Sequence, residues 1–154
     1  EYIIENDLKE KGEYQLTNAL ENLKQKGAKF VPGQVIEWLD CGNKEATIYS
    51  NQRILEFLRE KKDVLRANTC TLENSIIIEP CYIGDDSVIV NSVIGPHVSI
   101  GKGTKIYDAR ISNSIIQNQT GIKNMVIKDS MIGSKVVIEA KANDLSLGDY
   151  VTLK

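Results

Sequence analysis

The chain has 154 residues, 42% of them apolar and 26% charged, with a net charge of −2 and both signs interspersed. That is the composition of a globular protein of one domain or two small ones. It offers no basic block for nucleic acid and no apolar run near the ~20 residues a membrane-spanning helix needs. An odd count of cysteines without metal-like spacing (Cys41, Cys70 and Cys81) predicts free thiols and a reducing, cytoplasmic setting.

The first residues read as the middle of a domain, so a piece of a longer protein is expected. Residues 3–11 read as the end of a helix, closed by Gly12. A second helix is predicted over 16–26, with Leu16, Leu20 and Leu23 on one face and Gly27 as its stop. Residues 30–35 read as two short strands about a Pro32-Gly33 turn, the second continuing to Asp40. Asn43 is a candidate N-cap for a third helix over 44–61, whose Ile48, Leu55 and Leu58 form one stripe. Three helices and one hairpin are too little sheet to bury these apolar faces, so this half is expected to complete a larger α/β domain. Residues 63–76 read as a connector.

From Ile78 to Ile138 the chain carries isoleucine every five or six residues. This period is neither 3.6 nor 2, so it marks an internal repeat. Two positions before most of these isoleucines sits a slim residue: Cys81, Ser87, Ser92, Val98, Thr104, Ala109, Ser114 or Thr120, with Met125 the bulky exception. Residues two apart on an extended chain face the same side, so each short strand sends one large and one small group inward. Every third isoleucine recurs after sixteen or seventeen residues, as in Ile78, Ile94, Ile111 and Ile127. Three strands therefore make a coil, and coils stacked by strand hydrogen bonds rise roughly 4.8 Å each. The expected product is a triangular prism beginning near Ile77, with an irregular loop near 140–146 and a last partial coil that uses Val151 and Leu153.

Gly84, Gly95, Gly101 and Gly133 follow core isoleucines, and Asn91 and Asp129 fall in the shorter steps. These residue types tolerate left-handed corners. Ile83-Gly84-Asp85-Asp86-Ser87-Val88, Ile94-Gly95-Pro96-His97-Val98-Ser99 and Ile100-Gly101-Lys102-Gly103-Thr104-Lys105 resemble the hexapeptide repeats of left-handed parallel β-helices. The fold class expected is therefore mainly β: a left-handed parallel β-helix over 65–154, preceded by a small α/β segment over 1–64. The handedness is implied by the resemblance alone.

The stretch from Gly12 to Leu20, followed by Trp38-Leu39-Asp40-Cys41-Gly42-Asn43-Lys44-Glu45 and by Asn51-Gln52-Arg53-Ile54-Leu55, resembles the end of the catalytic domain of sugar-1-phosphate nucleotidyltransferases. It is most similar to glucose-1-phosphate thymidylyltransferases of the longer type, which append a β-helix. Asn43 stands where that family has Thr. The resemblance implies a parent enzyme that joins a nucleoside triphosphate to a sugar 1-phosphate, gives a dTDP-glucose-type product and releases pyrophosphate. It also implies that Asp40 is one of two aspartates holding Mg²⁺. Nothing here resembles the second aspartate or the glycine-rich phosphate loop, so the chain alone is expected to be inactive. Without the resemblance, Asp40 reads as an ordinary carboxylate before a helix.

The β-helix is expected to serve assembly into homo-oligomers, trimers or dimers, because strand edges and prism faces call for cover. The alternative is a coenzyme-A-dependent acyltransferase, or an enzyme with both activities, in which a histidine acts as general base. His97, the only histidine, lies in a turn of normal length and reads as solvent-facing. Cys81 reads as core, and so does Trp38.

Overall fold

The computed structural model describes residues 2–152. They fall into two compact units, divided between Trp38 and Leu39.

In the first unit, helix α1 (Tyr2–Glu5) ends early, and strands β1 (Lys9–Glu10) and β2 (Glu13–Tyr14) form an antiparallel hairpin. The helix expected over 3–11 is therefore a short helix and a strand. The reason is local: Lys11 and Gly12 both take positive φ, +52° and +84°, the requirement of a two-residue type I′ hairpin turn. Gly12 turns a hairpin rather than closing a helix. Helix α2 (Leu16–Gln25) forms as expected. Gly27, at φ +88°, closes it with the paired bonds of a Schellman motif, Ala28 N–H to Leu23 O and Gly27 N–H to Lys24 O. The strands expected over 30–40 are not formed. Phe30, Val31, Val35, Ile36 and Trp38 are all exposed, so Trp38 is no core residue among the described residues. A strand exists only by pairing, and among the described residues none pairs with 30–40.

The second unit opens with helix α3 (Lys44–Glu60). Asn43 caps it, its side-chain oxygen accepting from Ala46 N at 2.9 Å, with Glu45 in the first turn and Arg59 in the last to suit the helix dipole. Strands then come in threes. The first coil is β3 (Thr71–Glu73), β4 (Ile76–Ile77) and β5 (Cys81–Ile83). The second is β6 (Val88–Val90), β7 (Val93–Ile94) and β8 (Val98–Ile100). The third is β9 (Lys105–Tyr107), β10 (Arg110–Ser112) and β11 (Ser114–Ile116). The fourth is β12 (Gly121–Lys123), β13 (Val126–Lys128) and β14 (Met131–Ile132), and β15 (Val137–Glu139) follows.

Every third strand pairs in parallel, giving three sheets: β3-β6-β9-β12-β15, β4-β7-β10-β13 and β5-β8-β11-β14. This is a β-solenoid with three faces. Ile89, Ile94, Ile100, Ile106 and Ile111 are fully buried at its centre. The slim row lies beside them, with Cys81, Ser87, Val98, Thr104, Ser114 and Thr120 almost without exposure. Its buried hydroxyls are satisfied across the coils. Ser87 donates to Gly101 O at 3.1 Å, Thr104 to Gln117 O at 2.8 Å and Thr120 to Gly133 O at 2.8 Å. No buried side-chain nitrogen or oxygen among the described residues lacks a partner, as a polar group inside an aliphatic core requires.

The solenoid starts earlier than Ile77. Leu72 fills the isoleucine slot of β3, opposite Ile89, and Arg66 bridges to Ile83. In the first coil the residue aligned with Ile94 is Ile77, not Ile78, which is 44% exposed. Steps of five and six both occur in the repeat, so either isoleucine satisfied the rhythm; a slip of one residue reverses which face a side chain takes. Of the expected corners, Asn91 at φ +50°, Asp129 at +49° and Gly95 at +111° are left-handed; Gly84, Gly101 and Gly133 are not, and in their turns the left-handed residue falls two positions later, at Asp86, Gly103 and Lys135. The last coil does not return: no strand forms over 140–152, and Leu147 and Val151 are exposed. Leu153 lies outside the described residues. All three cysteines are free, and among the described residues no helix is long and apolar enough to cross a membrane.

Candidate functional site

Asp40 stands three residues before the α3 cap, in irregular backbone. Its Oδ1 accepts from Gly42 N at 3.1 Å, a local turn bond, and its carbonyl accepts from Ser50 Oγ at 3.5 Å. Thr47 ties the same segment to the helix, donating to Asn43 O at 2.8 Å and Cys41 O at 3.2 Å. The start of α3 thus fixes the backbone that presents Asp40, while the carboxylate itself is exposed. Among the described residues no group of three His, Cys, Asp or Glu side chains is placed to hold a metal ion. A hard dication needs several oxygen ligands, so the donors here do not by themselves fit Mg²⁺.

The polar convergence lies instead where α3 docks on the solenoid. Asn51, Gln52 and Glu56 share the face that meets it. Ser99 Oγ donates to Asn51 Oδ1 at 2.6 Å, and Asn51 Nδ2 donates to His97 O at 3.4 Å. Gln52 Nε2 donates to Asn113 Oδ1 at 2.6 Å. His97 Nε2 lies 2.6 Å from Glu56 Oε1, and Arg59 holds the other carboxylate oxygen. Ile48 and Leu55 are the buried apolar residues of the helix. His97 is therefore not the solvent-facing turn residue expected: it sits at a corner with φ +59°, its side chain 23% exposed, under the helix. Asn51 and Gln52 carry part of the resemblance described above, yet spacing gives no sign that they reach Ser99, His97 and Asn113, 46 to 61 residues away.

Glu56 is held below the ordinary glutamate range, first by its hydrogen bond with His97 and then, against a smaller desolvation effect, by the charges of Arg59, His97 and Arg53. Burial pushes the Cys81 thiol up to about 11, which makes it a poor nucleophile.

Fold and site together define a hexapeptide-type solenoid with a capped helix strapped along one face. No family model matches the chain. It is 28% identical, over 91% of its length, to a glucose-1-phosphate thymidylyltransferase of Streptomyces antibioticus, covering 45% of that protein. It is 32% identical over 84% of its length to the bifunctional protein GlmU of Clostridium botulinum, covering 29% of it. With GlmU of Clostridium beijerinckii the identity is 30% over 93% of the chain and 34% of the relative. The chain thus spans less than half the length of these relatives and is homologous to the C-terminal part of sugar-1-phosphate nucleotidyltransferases.

Proposed function

We propose that this chain is the closing portion of an enzyme that makes a nucleoside-diphosphate sugar of the dTDP-glucose type from a nucleoside triphosphate and a sugar 1-phosphate, releasing pyrophosphate. The observation that carries this is the likeness to a thymidylyltransferase along nine-tenths of the chain, solenoid included. In this reading Asp40 is one of two magnesium-binding aspartates, the second contributed by residues outside this chain. Phe30, Val31, Val35 and Ile36, exposed here, take their place as strands once the rest of the catalytic sheet lies beside them. The chain alone does not catalyse the transfer. Three free thiols suit a reducing cytoplasm.

The solenoid is the assembly module. Val126 and Val137, on the outward faces of β13 and β15, are 80% and 82% exposed, and open strand edges invite cover. A homodimer or homotrimer is the expected state. The acyltransferase alternative rests on His97, whose Nε2 is already engaged by Glu56; nucleotidyl transfer is the reading we adopt.

The test is pyrophosphate release from dTTP and glucose 1-phosphate by a longer chain that ends in this sequence. Activity should fall at least about a hundredfold in Asp40→Asn, no less than the upper end of the loss on removing a group that merely orients a metal ligand. Undiminished release by that variant would remove Asp40 from the site. Absence of release in the unsubstituted longer chain would remove the reading itself.

A further inference from the structure

A cavity of about 370 Å³ opens between the first turns of α3 and the solenoid corner at Asn113 and Asp129. Asp40 is not among the residues that line it. Its volume stands near the lower end of the ~300–1,000 Å³ typical of small-molecule sites, enough for one sugar ring.

The polar floor is a fixed relay. Gln52 Nε2 donates to Asn113 Oδ1 at 2.6 Å, and Asn113 Nδ2 donates to Asp129 Oδ1, also at 2.6 Å. These two bonds set the orientation of both amides. They leave Gln52 Oε1 and Asp129 Oδ2 as acceptors, the latter 3.8 Å from the exposed Lys128 Nζ. The wall is apolar and aromatic, with Ile48 buried and Tyr49 half-exposed beside the opening. At the rim Lys44 lies against Glu45 at 3.3 Å.

An acceptor-rich floor calls for a ligand rich in O–H donors, and an aromatic wall calls for one with a C–H face. A simple anion is disfavoured: among the described lining residues Lys44 is the one cation, and the carboxylates of Asp129 and Glu45 oppose it. Among the described residues no third His, Cys, Asp or Glu joins Asp129 and Glu45 to hold a bare divalent cation. We propose that this cavity binds the ring of a monosaccharide, its hydroxyls donating to Gln52 and Asp129 and its C–H face lying on Tyr49. Lys44 stands where a phosphate on that sugar could be met, so free and phosphorylated hexoses share the ring chemistry. Because Gln52 and Asn113 also hold α3 to the solenoid, an occupied cavity fastens the helix more firmly. None of this depends on the transferase reading.

The test is saturation-transfer NMR on this chain, with glucose, glucose 1-phosphate and inorganic phosphate offered separately at about 10 mM, where millimolar affinity is visible. Signal is expected from both sugars and not from phosphate; a stronger signal from glucose 1-phosphate would assign Lys44 its phosphate. Tyr49→Ala and Asp129→Asn, both at partly exposed positions and checked for an unchanged circular dichroism spectrum, should each weaken sugar binding at least about fivefold, the loss of roughly 1 kcal/mol. Tyr49→Phe should retain it. Silence from both sugars, a signal from phosphate alone, or equal sugar binding in Tyr49→Ala and Asp129→Asn would overturn the proposal.

Discussion

Glu56 and His97, 41 residues apart in sequence, meet at 2.6 Å where α3 crosses the solenoid, with Arg59 closing the other side of the carboxylate. This contact makes helix docking sensitive to acid. The Glu56 carboxyl is held below its ordinary value near 4.5, so its contribution is present above that value and is lost as pH falls through the lower value of the folded state. The protection factors of the α3 amides, exchange rates normalised to the intrinsic rate at each pH, should therefore fall on acidification below about 4.5, while those of β8 and β11 hold. In Glu56→Gln, α3 should exchange faster already at pH 7 and change less between pH 5 and 3.

The register of the first coil has an energetic signature. Ile106 is fully buried between β6 and β12, and Ile106→Ala should cost about 2–5 kcal/mol in urea unfolding, the transfer loss plus the cavity left behind. Ile78, 44% exposed and outside the stacked row, should cost about 1 kcal/mol or less on the same change. Equal losses at both positions would place Ile78 in the core.

Two glycines at equivalent corners should respond oppositely. A Cβ on Gly101 would meet Asn118 N at 2.7 Å and the Gln117 carbonyl carbon at 2.8 Å, backbone atoms of the next coil that cannot swing aside. Gly101→Ala should destabilise by about 1–3 kcal/mol, as overpacking does. Gly133 has nothing within 4 Å and no positive φ, so Gly133→Ala should be neutral or gain up to about 1 kcal/mol through the unfolded chain. Thermal melts of the two variants measure the contrast.

The solenoid was legible because its physics repeats. One large and one small inward residue per strand, read from Ile83 to Ile138, names its own period, and the buried rows at Ser87, Thr104 and Thr120 follow from it. The slip at Ile77 and Ile78 was not legible, since Leu72 breaks the isoleucine row one strand earlier and both spacings are allowed. Around Lys11-Gly12, a glycine that can end a helix can equally turn a hairpin, and the choice was made by Lys11 taking φ +52°. Residues 30–40 carry strand-forming side chains, but pairing is a property of the partner, which pattern does not reveal. The helix clasp was hidden for a similar reason. Asn51, Gln52 and Glu56 look like any polar face of α3 until Ser99, Asn113 and His97 are folded beneath them.

Thiol chemistry should separate the cysteines. Cys41 is exposed, Cys70 partly covered, and Cys81 is buried in the slim row with its thiol pushed up to about 11. An aromatic disulfide reagent at pH 8 should label Cys41 quickly and Cys70 slowly. Cys81 should react only after unfolding in guanidinium. Rapid labelling of three thiols in the native protein would show that the first coils are open.

On the proposed function, this chain carries a portion of a nucleotidyl-transfer site and a solenoid to mount it, with the remaining reacting groups on residues it does not include. The most direct measurement is pyrophosphate release by the purified chain given dTTP, glucose 1-phosphate and magnesium. The rate should equal that of the protein-free mixture. Turnover above that background, lost on heating the protein, would contradict it.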